Sequence, residues 1–284
     1  ALMYRDDSHE AYELRIYEHL IEGRRHYGAV TIPKREAQSG FPVVLFADGL
    51  DQGNPRIDIV AWAQRAQQRL GEAVFVVPAF RGRTLIYAEM TSDAEGDVYR
   101  EMAFDAEGDF CDAYDGATDD AIAFLNVAAA ETPQADFSRL MVRGPSRGGN
   151  VALLLGERDD RVTVVAAQSA PADFYRKEVY DHYRGQYRCQ FLTGKTEEQS
   201  RERMLASSPL RFPLKPGVAR VYIDHGEQDT VAPFWNALEM VSHLEAQQVD
   251  VQFHSYPGYG HTDLGNSSEF NAVQVEIYES FLAQ

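Results

Sequence analysis

The chain has 284 residues, 44% of them apolar, and a formal net charge of −17. That length and composition fit one domain with a sizeable core, residues 1–284, and a field of that sign repels phosphate backbones, which excludes nucleic acid as a partner. No stretch approaches the roughly 18 to 20 consecutive apolar residues of a membrane span, and none has the charged start and apolar core of a signal peptide.

A soluble protein without membrane insertion is therefore expected, cytoplasmic or, since it begins at Ala1, secreted with a leader removed. Cys111 and Cys189 lack CxxC spacing, so neither a disulfide framework nor a zinc ribbon is indicated; two unpaired, partly buried thiols are expected. Along the chain, Leu14, Ile16 and Leu20 alternate with polar neighbours before Glu22-Gly23-Arg24 turns into His26 to Ile32, which predicts an antiparallel hairpin. Val43-Val44-Leu45-Phe46 is a continuous apolar run suited to a strand covered on both faces. Ile57, Val60, Trp62, Ala63, Ala66 and Leu70 then recur at helical spacing, Gly71 stops that helix, and Ala73 to Val77 forms the next strand.

Residues 79–108 give no pattern beyond loop and short helix. They contain Asp93-Ala94-Glu95-Gly96-Asp97 and its repeat Asp105-Ala106-Glu107-Gly108-Asp109, read as local and solvated because the alternating aspartates of a calcium loop are missing. No metal and no cofactor are expected. Residues 117–130 read as a helix, 162–167 and 221–223 as strands, 233–247 as a helix, 250–255 as a strand and 268–283 as a closing helix. Strand and helix alternate, as in an α/β protein with a mostly parallel central sheet and helices on both faces. Residues 170–209 interrupt this with a helical, cap-like insertion carrying Phe174, Tyr175, Tyr180, His182, Tyr183, Tyr187 and Phe191. Phe174, Tyr175 and Tyr183 are the candidate substrate-pocket residues, although such aromatics equally suit a small cap packed on the sheet edge.

Between the apolar runs Leu140-Met141-Val142 and Val151 to Leu155 stands Gly144-Pro145-Ser146-Arg147-Gly148. Strand, turn and helix are the context that a G-x-S-x-G nucleophile elbow needs, and the flanking glycines remove Cβ atoms where the chain reverses. A serine hydroxyl is a feeble nucleophile without a base and a carboxylate to orient that base. Asp229 follows one predicted strand and His261 follows the next, so the order is Ser146, Asp229, His261, as on an α/β-hydrolase sheet. Asp224, Glu227, His225 and His254 compete, but they lie within strands or earlier in the turn.

Gly144-x-Ser146-x-Gly148-Gly149, His225-Gly226-x-x-Asp229 and Tyr256-Pro257-Gly258-x-Gly260-His261 resemble the catalytic domain of the prolyl oligopeptidase family, as do Ser208-Pro209-Leu210 and Phe80-Arg81-Gly82-Arg83. The layout is also similar to dienelactone hydrolases and compact microbial carboxylesterases, of which the former use a cysteine where this chain has Ser146. The resemblance implies an α/β-hydrolase fold and a serine hydrolase with Ser146, Asp229 and His261 as its triad. Family members usually carry a β-propeller that filters peptides, and 284 residues leave no room for one. A carboxylesterase acting on a small-molecule ester is accordingly the leading expectation; a stand-alone peptidase and a non-catalytic binding protein of the same fold are the alternatives. The sequence is compatible with an oligomer and does not determine one.

The oxyanion hole is expected to use the backbone N–H of Arg147 and a second from the loop after Phe46, with Leu50 first and Gly49 the near alternative. Asp48 stands where related enzymes place a donor, and an ionised aspartate only accepts hydrogen bonds. Arg81 is expected to pair with Asp48 or another loop acid, or else to be exposed.

Overall fold

Val43 and Leu45 pack into one hydrophobic cluster, Val44 and Phe46 into another. Two covered faces mark a central strand of a parallel sheet, and the computed structural model places this run there. It describes residues 1–37, 39–50, 56–59, 73–93, 96–177 and 188–284. Strand β4 (Phe41–Phe46) lies between β6 (Val74–Ala79) and β9 (Ala135–Pro145), parallel to both. β10 (Val162–Gln168), β11 (Arg220–Gly226) and β12 (Asp250–Tyr256) continue the parallel run beyond β9. On the other side β6 pairs antiparallel with β3 (Arg24–Pro33), which forms the expected hairpin with β2 (Tyr12–Ile21), and β1 (Leu2–Asp6) is the edge. The order of the nine-stranded sheet is β1-β2-β3-β6-β4-β9-β10-β11-β12.

Helices cover both faces. Helix α1 (Asp115–Glu131), α2 (Arg147–Arg158) and, further along the chain, α4 (Phe234–Ala246) fill the cluster around Val43 and Leu45, with Phe124, Leu153 and Met240 among their contributions. Helix α5 (Ser268–Leu282) supplies Ile277, Tyr278 and Phe281 to the opposite cluster. Between β10 and β11 the described part of the insertion is helical: a turn at Arg188–Leu192, helix α3 (Glu197–Ala206) and a turn at Pro209–Arg211. Among the described residues no helix is long and apolar enough to cross a membrane.

Three expectations are corrected. Residues 84–105 are a long hairpin rather than loop and short helix: β7 (Thr84–Asp93) pairs with β8 (Gly96–Asp105), and with β5 (Arg56–Asp58) they form a second sheet. The period-two signal was present, since Met102 and Phe104 are partly buried between exposed Glu101, Ala103 and Asp105, but the charged residues obscured it. Tyr87 donates to Asp6 at 2.7 Å and the Phe104 ring meets Tyr27 at 5.5 Å, so the hairpin is anchored on the main sheet. The acidic repeat resolves into two strand ends: Asp93 pairs with Gly96 at the hairpin tip, while Glu107, just past β8, accepts from the Arg25 amide at 2.8 Å. Secondly, Ile57, expected to begin a helix, lies in β5; residues 60–70 of that expected helix lie outside the described residues. Thirdly, Cys111 and Cys189 are joined in a disulfide instead of being free thiols. The fold brings their Cα atoms to 5.3 Å across a sequence separation of 78, within the span a disulfide requires.

Glu157 on α2 is buried, and its Oε1 has no hydrogen-bond partner among the described residues. Burial pushes its carboxyl up to about 9. The unfolded chain releases this proton near about 4.3, so stability falls as pH rises from there towards the folded value. Glu157→Gln is therefore expected to stabilise the protein at pH 8 by at least about 1 kcal/mol and to change little at pH 4, read by urea unfolding at both pH values.

Candidate active site

Strand β9 passes into α2 through Ser146, whose backbone sits at φ 52° and ψ −119°. A non-glycine residue pays about 1–3 kcal/mol in such a region unless its surroundings hold it there. Here the Ser146 amide donates to Gln168 O on β10 at 2.7 Å. A Cβ on Gly144 or Gly148 would overlap the Ala47 carbonyl oxygen, so the elbow can press against the segment leaving β4 because both positions are glycine. The first amides of α2 have no intrahelical acceptor and carry the positive end of the helix dipole to the serine.

His261 lies on the loop after β12. Its Nε2 is 2.8 Å from Ser146 Oγ and its Nδ1 is 2.8 Å from Asp229 Oδ2. A carboxylate only accepts, so Nδ1 carries the proton and Nε2 is left to accept from the serine hydroxyl. Asp229, on the loop after β11, is fixed through its other oxygen: Oδ1 accepts from the amides of Val231 and Ala232, each at 2.8 Å. Burial alone would raise the Asp229 carboxyl. Hydrogen bonds from His225 and His261, with the charges of those rings, instead hold it well below the usual carboxylate range, so it stays ionised.

The competing residues are occupied elsewhere. Asp224 accepts from Tyr256 Oη at 2.7 Å and Gln274 at 3.1 Å and lies 3.2 Å from His254, while Glu227 accepts from Ser255 at 2.9 Å. His225 carries a role that sequence reasoning left unassigned: fully buried, its Nε2 donates to Ala232 O at 2.8 Å and lies 3.3 Å from Asp229 Oδ2. The signal was the four-residue spacing of His225-Gly226-x-x-Asp229, which places the ring under the carboxylate.

Opposite the elbow, Ala47, Asp48, Gly49 and Leu50 leave β4, starting with the Ala47 amide on Arg143 O at 2.8 Å. Gly49 sits beside the residue before the serine: a Cβ there would lie 3.6 Å from Pro145 O. The partner of Asp48 is Arg83 rather than Arg81, with Arg83 Nη2 at 2.5 Å from the carboxylate and 3.2 Å from Gly49 O. Arg81 is not paired to Asp48 but does meet the other expectation, a pair with another loop acid, Asp112. It donates to Asp120 through Nη2 at 2.7 Å and to Asp112 through Nη1 at 2.6 Å, tying the loop after β6 to α1. The Arg147 side chain is buried under this segment, its guanidinium 4.8 Å from the Phe80 ring centre. Burial, with the charge of Arg83 nearby, lowers it to about 9 against the opposing pull of Asp48, which leaves it a cation at neutral pH.

The candidate pocket residues separate. Phe174 is buried in an aromatic cluster, 4.5 Å from the Tyr114 ring and 5.2 Å from Phe191. Tyr175 is exposed, with the Arg211 guanidinium 5.9 Å from its ring. Tyr183, like Tyr180, His182 and Tyr187, lies outside the described residues.

The sequence pattern that defines the prolyl oligopeptidase family matches residues 88–284, more than half of the chain and all three candidate triad positions. The chain belongs to the prolyl oligopeptidase family. This is a family of serine hydrolases, and solved structures of both peptidases and esterases share the fold. An acylaminoacyl peptidase complexed with Z-Gly-Gly-Phe-chloromethyl ketone superposes with a TM-score of 0.69 at 15% identity, over 97% of this chain and 42% of its own. Acetyl xylan esterase 1 from Thermoanaerobacterium sp. gives 0.68 at 17% identity, over 99% of this chain and 87% of its own. A puromycin-hydrolysing peptidase of Mycobacterium tuberculosis gives 0.67 at 19% identity, over 94% and 39%. This chain thus spans less than half the length of either peptidase. Comparison with curated protein sequences yields no match.

Proposed function

We propose that this member of the prolyl oligopeptidase family is a carboxylesterase that cleaves small-molecule esters through an acyl-enzyme on Ser146. The observation that carries the reading is the continuous hydrogen-bond path from Ser146 Oγ through His261 to an ionised Asp229 whose other oxygen accepts from the Val231 and Ala232 amides. His261 Nε2 takes the serine proton as Oγ attacks the ester carbonyl, and Asp229 stabilises the imidazolium. The oxyanion is held by the Arg147 amide and by that of Leu50, or Gly49 beside it. Collapse expels the alcohol, which takes the proton from His261. Water, deprotonated by the same ring, then attacks the acyl carbonyl and releases the acid.

Support for esters comes from the acetyl xylan esterase among the solved structures that share this fold. Peptide cleavage is the second reading, favoured by the family itself. The Cys111–Cys189 bond supports a place outside the reducing cytosol. A fluorophosphonate probe is expected to label Ser146, mapped by peptide mass spectrometry, and p-nitrophenyl acetate is expected to turn over faster than aminoacyl or prolyl p-nitroanilides. Absence of labelling would overturn the hydrolase assignment, and faster amide turnover would move the assignment to peptidase.

A further inference from the structure

The Arg147 side chain makes three hydrogen bonds, all to main-chain carbonyls of the segment facing the elbow. Nε and Nη2 donate to Asp48 O at 3.1 and 3.0 Å, and Nη2 donates to Gly49 O at 2.8 Å. The donors and acceptors are 98 and 99 residues apart in sequence, so this is a tertiary clamp and not a local turn. A trans peptide is planar, with its C=O and the following N–H pointing in opposite directions. Two carbonyls drawn into one guanidinium therefore turn the next two amides, Gly49 N–H and Leu50 N–H, away from it. Among the described residues neither amide has a hydrogen-bond acceptor, both residues are partly exposed, and Gly49 lies beside Pro145. A guanidinium suits this task because its planar fork fixes two acceptors at once, which an ammonium on a flexible stem cannot do.

We propose that the Arg147 guanidinium is a positioning residue that sets the Gly49 and Leu50 amides as the second half of the oxyanion hole. The same residue thereby serves the hole twice, its own amide from the helix side and its side chain through the facing segment. This rests on the serine hydrolase reading above. Any substitution of Arg147 keeps the backbone amide, so the side chain is read separately.

The test uses the full chain with Arg147→Met and Arg147→Lys, assayed with p-nitrophenyl acetate and with trifluoroacetophenone, whose serine adduct carries an oxyanion. The expected result is a fall in kcat of about 100-fold for Arg147→Met with KM within about threefold, the scale of losing one oxyanion donor. Inhibition by trifluoroacetophenone should weaken in step with kcat/KM. Arg147→Lys, which preserves the charge and most of the packing, should lose activity in the same pattern and carries the test if Arg147→Met does not fold. Folded variants with unchanged kcat, or a loss confined to KM, would overturn the clamp alone. A wild-type protein that neither hydrolyses esters or amides nor takes the fluorophosphonate would overturn the hydrolase reading and the clamp with it.

Discussion

Asp229→Asn should lower kcat by about 10,000-fold while leaving KM nearly unchanged, and should be at least as damaging as Asp229→Ala. The reason lies in the donors around the carboxylate. Oδ1 faces two backbone N–H groups, from Val231 and Ala232, and Oδ2 faces His261 Nδ1 and His225 Nε2. An asparagine oxygen would have to take the Oδ1 place, because an NH2 group there would oppose two amides at 2.8 Å. Its NH2 then points at His261 Nδ1, which must become an acceptor and shift its proton to Nε2. The ring would donate to Ser146 Oγ when catalysis needs it to accept. Alanine imposes no tautomer, so the larger side-chain deletion is expected to do no more harm than the near-isosteric swap. A kcat for Asp229→Asn above that of Asp229→Ala would contradict this account.

The same substitution has a thermodynamic signature. The folded Asp229 carboxyl is held below its unfolded value by His225 and His261 despite the raising effect of burial. Its contribution to stability is thus present above the unfolded value near about 3.9 and is lost as pH falls through the lower, folded value. Asp229→Asn should remove that part of the acid dependence while leaving the shape of the unfolding curve between pH 6 and 8 intact.

What could be read from the sequence was what depends on nearby residues. Val43 to Phe46 announced a central strand because four apolar residues in a row need cover on both faces. Ser146, Asp229 and His261 were legible because each follows a strand-like run, and a parallel sheet delivers the ends of neighbouring strands to one edge. The β7 and β8 hairpin was hidden because Leu85-Ile86-Tyr87-Ala88 is a short apolar run whose partner strand, ending at Asp105 opposite Thr84, is broken up by charged residues such as Arg100, Glu101 and Asp105. Position 147 illustrates the limit most clearly. Its proposed backbone role follows from standing next to Ser146, yet its side chain answers carbonyls that only the folded sheet brings within reach. A long charged side chain inside an otherwise small-residue turn was the available hint.

Breaking the Cys111–Cys189 bond should destabilise the protein by about 4 kcal/mol, on the chain-entropy relation for a loop this long. For a chain of this size that corresponds to a fall in Tm of about 8 °C. The bond joins two pieces of the surroundings of the candidate active site. Cys111 lies between Phe110, whose ring faces the Arg83 guanidinium at 5.8 Å, and Asp112, which holds Arg81 and lies 3.0 Å from Arg203. Cys189 precedes Phe191, which packs on Phe174 and, at 6.3 Å between ring centres, on Tyr114. Without the bond the aromatic cluster keeps its packing, but the loop supporting Arg83 and the insertion are no longer one covalent unit. Local opening then becomes cheaper than global unfolding. The double variant Cys111→Ser, Cys189→Ser should therefore lose Tm and also gain protease cleavage within residues 188–196 well below its Tm, while Ser146 still takes the fluorophosphonate at 25 °C. A Tm within 1 °C of wild type, with the same value after dithiothreitol, would mean that the bond contributes nothing to this coupling.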